Sequence, residues 1–406
     1  MIQEATYTNG SRTATIKVDR LDTWLAEAES VINFPGLLEL DGDRLFLTAS
    51  RSRHGAEGTH QEDPSRAFIS EDVGQTWAEA PPNSPLRLSL SSPRTGWMVE
   101  NFDSGVFGHL RDGSIGRIDH WTQSWHDQDW SAAEGSSHEH TQEEDPTFRW
   151  HRWQRDGTPI EHFTFKVAGI PWRQASYQSY ATLLDLANGD LLAALEWASI
   201  LPEDQWTVDG RGRTNKLRIG VFIIRSSDRG KTWHFVQAFD PQELNPVYGP
   251  GDRALDEGFD EADLVVLENG DILCVMRTGS YSPMFQSRST DGGNTWAVPE
   301  STGWQGVRPR LTVMPNGVLI CVAGRGAYGH PQITHAMLSL DGTGRHWEYP
   351  FAFHTGPGCS YTTTMLRNGK LHIAFSHSDF TREFGTHDLP SQAIKRAVLD
   401  VHLVAG

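Results

Sequence analysis

Cysteine is scarce: Cys274, Cys321 and Cys359 are the only three in 406 residues. An odd count with no Cys-x-x-Cys pair argues against a disulfide framework and against a cysteine zinc site. Cys274 and Cys321 lie inside apolar, strand-like runs and read as small core residues, which favours a reducing compartment. Positive charge is also short. With 35 Lys and Arg against 52 Asp and Glu, the formal net charge is -17, which argues against general affinity for nucleic acid or an anionic membrane. No run approaches the ~18 apolar residues needed for a helical membrane span. The first residues, Met1 to Thr6, have neither the basic region nor the apolar core of a signal peptide. As it stands the chain reads as cytoplasmic; a leader removed ahead of residue 1 would make it secreted or periplasmic.

What the chain does have is repetition. Ser-x-Asp-x-Gly-x-Thr-Trp occurs at Ser70–Trp77, Ser226–Trp233 and Ser289–Trp296, with a stretched copy at Ser339–Trp347. Such a segment is a hairpin turn with its own stabilisers. Ser and Asp side chains bond local backbone N–H groups, and Gly takes an angle other residues avoid. A second repeat counts the units. Apolar runs flank Asp41-Gly42, Asp112-Gly113, Asn188-Gly189, Asn269-Gly270, Asn316-Gly317 and Asn368-Gly369, the strongest short-range hairpin signal. These glycines lie 71, 76, 81, 47 and 52 residues apart, leaving room for a second hairpin in each interval. The pattern predicts an all-β fold: a six-bladed β-propeller of four-stranded antiparallel blades, one domain over residues 1–406. Arg155-Asp156-Gly157-Thr158 stands in for the missing turn of blade two. Ala393–Leu403 supplies the third strand of blade six and Ala14–Val18 its fourth. Residues 120–151 interrupt the repeats with a polar, His- and Asp-rich stretch. Its spacing matches no familiar metal-ligand pattern, and it reads as a solvated loop inserted in blade two.

Both turn types fall on one face, so first strands begin, and second strands end, at the opposite opening. Counting back eight or nine residues from each glycine gives Asn33-Phe34, Ser104-Gly105, Tyr180-Ala181, Glu261-Ala262, Arg308-Pro309 and Ser360-Tyr361. Counting forward seven to nine gives Arg51, His120, Trp197, Arg277, Arg325 and His377, with Arg53 and Arg310 beside them. An acidic protein that gathers arginines at one opening is set up for a small anion, since the planar guanidinium fork matches a carboxylate. Trp197, Trp172, Tyr177 and Tyr281 could stack on a sugar face, although for each alone packing between blades is the better reading. Tyr361 and Glu261 are the sharpest chemical pair. A phenol becomes a useful nucleophile or base when a carboxylate can take its proton. The plainer alternative is a Tyr361 that only caps a strand.

These residues resemble the sialidase superfamily. The Ser-x-Asp turns are similar to its Asp-box repeats along the whole chain. Glu261–Arg277 resembles the stretch with the glutamate partner and one arginine of the family's triad. Gly358–Gly369 resembles the stretch with the tyrosine nucleophile. The resemblance implies Tyr361 as nucleophile, Glu261 as its partner, and Glu62 or Asp63, ahead of the first box, as acid/base. Arg277, Arg325, Arg308, Arg51, Arg53, Trp197, Tyr180 and His377 then bind substrate. The triad is incomplete: Asn33-Phe34-Pro35 stands where the family has an arginine motif. The implied activity is exo-acting hydrolysis of a terminal acidic sugar, sialic acid or a related one, without cofactor or metal. The implied partner is an acidic carbohydrate, not nucleic acid or membrane. Two alternatives stay open. One is a polysaccharide lyase, with Tyr361, Tyr180, His377 or His54 taking the proton beside a uronate carboxylate. The other is a carbohydrate-binding propeller without catalysis.

Overall fold

The computed structural model describes residues 3–27, 33–50, 66–81, 84, 86, 106–120, 147–170, 176–178, 182–200, 207–208, 214–215, 217–240, 258–278, 283–325, 333–356, 361–377 and 392–404. Over these the chain is all-β, with no helical element among the described residues. A hairpin of β1 (Glu4–Asn9) and β2 (Arg12–Glu27) opens it. A four-stranded antiparallel sheet follows: β3 (Asn33–Glu39), β4 (Leu45–Ser50), β5 (Arg66–Ser70) and β6 (Ala78–Glu79). Next come β7 (Val106–His109), β8 (Ile115–His120), β9 (Thr147–Trp153) and β10 (Pro159–Ala168). After them are β11 (Ser176–Gln178), β12 (Leu184–Asp185), β13 (Leu191–Ile200), β16 (Leu217–Ser226) and β17 (Trp233–Phe239), with a separate pair of β14 (Thr207–Val208) and β15 (Thr214–Asn215). A parallel contact only two residues long, Val167 with Trp233 and Ala168 with His234, joins the two groups into one nine-stranded sheet.

Two regular four-stranded sheets come next: β18 (Asp260–Val266) to β21 (Glu300–Gln305) by way of β19 (Ile272–Arg277) and β20 (Pro283–Ser289), and β22 (Val307–Val313), β23 (Leu319–Gly324), β24 (Ile333–Ser339) and β25 (Phe351–Thr355). The last sheet holds β26 (Thr362–Arg367), β27 (Lys370–His377) and β28 (Gln392–Leu403), and β28 pairs with β2 from Ala14 opposite Leu403 to Glu27 opposite Gln392. The expected pairing of the N-terminal strand with 393–403 is therefore present, and β1 adds a fifth strand.

The six Asp-Gly and Asn-Gly turns named above each join consecutive paired strands: β3–β4, β7–β8, β12–β13, β18–β19, β22–β23 and β26–β27. The Ser-x-Asp turns are built as their chemistry requires. In the second, Ser226 Oγ accepts from Gly230 N at 2.8 Å and donates to Asp228 at 2.8 Å, while Asp228 accepts from Thr232 N and Thr232 Oγ1. Gly230 has φ +93°, and a Cβ there would lie 2.9 Å from the Trp150 ring, so the turn and the packing both demand glycine. The neighbouring copies repeat these bonds at Ser70–Thr76 and Ser289–Thr295. The substitute at 155–158 forms too, with Thr158 N donating to Asp156 Oδ1 at 2.8 Å between β9 and β10.

A recurrent latch joins sheets. The arginine just before a Ser-x-Asp turn grips the aspartate just after an Asn-Gly turn, Arg225 with Asp190 and Arg288 with Asp271, and reaches on to the next sheet's turn at Gly292 and Thr343. Cys274 and Cys321 are buried core residues, as read from the sequence.

The predicted insertion at 120–151 needs correction at its end. Thr147–Trp153 forms β9, because Phe148 and Trp150 alternate into the core and are fully buried. Residues 121–146 lie outside the described residues.

Candidate active site

At the end of the strands opposite the turns, five residues from three sheets converge. Glu261 is at the start of β18, Arg277 ends β19, Arg308 is at the start of β22, Arg325 follows β23, and Tyr361 precedes β26. The backbone is bent to deliver them. Glu261, Arg308 and Arg325 have φ of +37°, +51° and +50°, left-handed angles that cost a non-glycine residue roughly 1–3 kcal/mol and recur where function demands them. Register shifts between Asp260 and Asp263 and between Val307 and Arg310 mark bulges at these two strand starts. A bulge re-aims a side chain out of the regular alternation.

Glu261 is the centre. It is 5% exposed, and its Oε1 lies 3.0 Å from Arg277 Nη1, while its Oε2 accepts the Arg308 backbone N–H at 2.9 Å. The Tyr361 hydroxyl stands near the same carboxylate and helps to lower its pKa. Burial pushes the Glu261 pKa up. The Arg277 and Arg308 charges, with the Arg277 bond and the Tyr361 hydroxyl, outweigh that and hold it below the ordinary carboxylate value. Arg277 Nη1 also approaches the Tyr361 hydroxyl at 3.5 Å, and its Nε is 3.7 Å from Asp260 Oδ1. The guanidinium groups of Arg308 and Arg325 face the Tyr361 ring at 5.7 and 5.9 Å from its centroid. The Tyr361 main chain is locked by reciprocal bonds with Ser376. The result is a buried phenol against an ionised carboxylate, with cationic side chains on its ring and hydroxyl.

Two candidates take other places. Trp197 is fully buried in the core, its indole lying across from Gly220 in the neighbouring strand. It therefore packs a sheet rather than presenting a face to a sugar. His377 turns to β25, where its Nδ1 is 3.1 Å from His354 Nε2, and burial lowers its pKa. Arg51, Arg53, His54, Glu62, Asp63, Trp172, Tyr180 and Tyr281 lie outside the described residues. Counting from glycines passed over three acidic residues. Asp263 accepts from Thr182 N and Leu311 N and pairs with Arg310 at 3.5 Å, fastening three sheets beneath the site. Asp260 stands beside Arg277, and Glu196 Oε2 accepts the Glu261 backbone N–H at 3.3 Å. Glu196 is seven residues after Gly189 as Arg277 is seven after Gly270, so equal offset was the available signal. Among the described residues no group of three or more His, Cys, Asp or Glu is arranged to hold a metal, and no helix is long and apolar enough to cross a membrane.

Residues 181–373 match the family model of the BNR repeat-like domain. No curated protein matches the chain by sequence. Among solved structures, a protein of unknown function from Dyadobacter fermentans aligns at TM-score 0.66 and 15% identity, over 95% of this chain and 99% of its own. The Hadza microbial sialidase Hz136 aligns at 0.54 and 17%, over 91% of this chain and 65% of its own. The intramolecular trans-sialidase from Ruminococcus gnavus aligns at 0.55 and 12%, over 93% and 96%. At such identities the likeness concerns the fold: residues 181–373 are similar to the BNR repeat-like domain, and the chain shares its overall fold with these sialidase structures.

Proposed function

We propose that this chain is an exo-acting glycoside hydrolase of sialidase type that removes a terminal acidic sugar, sialic acid or a close relative. The observation that carries the proposal is that one guanidinium nitrogen, Arg277 Nη1, lies 3.0 Å from the buried Glu261 carboxylate and 3.5 Å from the buried Tyr361 hydroxyl, which brings phenol and carboxylate to one place. In the proposed mechanism the Tyr361 oxygen attacks the anomeric carbon as Glu261 takes its proton. Glu62 or Asp63 protonates the leaving oxygen and then activates the water that frees the sugar. A tyrosine nucleophile is the known exception among retaining glycosidases. Arg277, Arg308 and Arg325 supply positive charge for the sugar carboxylate and for negative charge developing on the phenol oxygen, with Arg51, Arg53 and Tyr180 as further binding residues.

We further propose that the sheets close into one six-bladed propeller over residues 1–406, with blade boundaries at the short β10–β17 contact and closure at β2–β28. That places the five converging residues round a central opening. The test is a set of chromogenic acidic glycosides, sialic acid and uronic acid conjugates, incubated with the full chain. Release of aglycone with net retention supports the proposal. An ultraviolet-absorbing unsaturated product would replace it with elimination, and binding without turnover would replace it with a carbohydrate-binding role.

A further inference from the structure

Glu196 takes no part in the chemistry proposed above, yet it is built into the floor of the same site. On β13 its neighbours Ala194, Leu195 and Trp197 are 2%, 2% and 0% exposed, and Glu196 itself is 9% exposed. A carboxylate placed in such a strand is costly unless it is hydrogen-bonded. Its Oε2 accepts the backbone N–H of Glu261 at 3.3 Å. That N–H belongs to the residue with the strained φ of +37°, inside the bulge between Asp260 and Asp263. Glu261 is therefore gripped from both ends. The Arg308 N–H and Arg277 hold its carboxylate, and the Glu196 carboxylate holds its main chain. A left-handed glutamate persists only where its surroundings over-determine it.

We propose that Glu196 is the positioning residue of the Tyr361–Glu261 pair: by accepting the Glu261 N–H it keeps that residue in its left-handed turn, so that the carboxylate meets the phenol. This rests on Glu261 being the partner of Tyr361. What Glu196 supplies is an acceptor atom at a set reach. Glutamine keeps reach and acceptor without the charge, whereas aspartate keeps the charge and falls one methylene short.

The experiment labels all eight tyrosines with 3-fluorotyrosine in the full chain and assigns the Tyr361 fluorine signal with Tyr361→Phe. Glu261→Gln defines the signal of a phenol that has lost its carboxylate. Glu196→Asp and Glu196→Ala are expected to move the Tyr361 signal toward that position, and Glu196→Gln to leave it near wild type. Turnover of a chromogenic sialoside should follow the same order. A displacement of about 1 Å is enough to cost roughly a hundred-fold, so kcat should fall by about that factor in the aspartate variant, with KM little changed. A Tyr361 signal unmoved in Glu196→Asp, or an aspartate variant that matches wild type while glutamine does not, overturns the proposal. If wild type turns over no acidic glycoside, the hydrolase reading fails, while the fluorine signals still decide the role of Glu196.

Discussion

In the mechanism proposed above Tyr361 and Glu261 act as one unit, the carboxylate taking the proton of the phenol. General-base help is worth about two to four powers of ten. Tyr361→Phe is therefore expected to remove nearly all turnover while the melting temperature stays close to wild type, since the ring still packs beneath Arg308 and Arg325. Glu261→Gln should lose a comparable amount. Full activity in Tyr361→Phe on the true substrate would remove the nucleophile assignment. A pH measurement tests the carboxylate separately. The folded pKa of Glu261 is depressed from 4.5, so the stability it contributes is fully present above the unfolded value and is lost as pH falls through the lower, folded one. The stability gap between wild type and Glu261→Gln, followed by chemical denaturation, should be constant from pH 7 to 5 and should shrink only below 4.5. Wild type gaining stability over Glu261→Gln as pH falls from 7 to 5 would mean that burial, not the arginines, sets the titration, because a raised folded pKa makes the folded state the stronger proton binder. Much of this site was legible in the sequence, because a fixed offset from a turn glycine returns to the same end of every hairpin. The count failed at Trp197 for a physical reason. Side chains alternate along a regular strand, so an offset of eight inside β13 points into the core, and its neighbour Glu196 points to the site. At Arg325 the same offset falls beyond the end of β23, in a left-handed residue where alternation no longer applies.

At the scale of single elements, the Ser-x-Asp turns are the most legible part of the chain, and the bulges the least. The turn chemistry is local. Ser, Asp, Gly and Thr satisfy one another within seven residues, and the Asp291 carboxylate accepts enough bonds from Thr295, Ser289 and Asn294 to hold its pKa at about 2. The bulges at Glu261 and Arg308 have no such signature, because they are set by what the neighbouring sheet offers, here the Glu196 carboxylate to one backbone N–H and the Glu261 carboxylate to the other. Ser226→Ala measures what one turn is worth. Ser226 is fully buried and its Oγ is the acceptor for Gly230 N. Alanine fits the space and leaves that N–H buried without a partner, a loss of about 1–3 kcal/mol. Denaturant unfolding should show this with an unchanged slope. A loss near zero would mean that the Gly230 N–H finds water and that the serine is not what holds the turn.

The whole molecule depends on a strand borrowed from the other end of the chain. β28 lies between β27 and β2, and β2 pairs with it along its full length. The borrowed strand also carries the contact to the first sheet. Trp24 packs edge-on against Trp77 at 5.0 Å and covers Gly74, and Asp22 binds Arg396, whose other arm reaches Val73 O at 3.2 Å. Ala14, Ile16 and Val18 are buried in the same core as Leu399 and Val401. Removing residues 1–27 would therefore open the edge of β28, uncover an apolar row and unseat the first turn at once. Unpaired, apolar edge strands are templates for association. The truncated chain is expected to lose its cooperative melting transition and to collect as soluble aggregate on size exclusion. A peptide of residues 12–27 supplied during refolding should restore the transition in part, because it brings both the ladder to β28 and Trp24. Substituting Trp24 by alanine within that peptide separates the two contributions. If the ladder alone closes the molecule, the variant peptide rescues as well as the parent; if the seal to the first sheet matters as the packing indicates, it rescues poorly. A truncated chain that melts cooperatively at the wild-type temperature would show that β2 is an ornament on an already closed fold, and the closure proposed for the ring would have to be sought elsewhere.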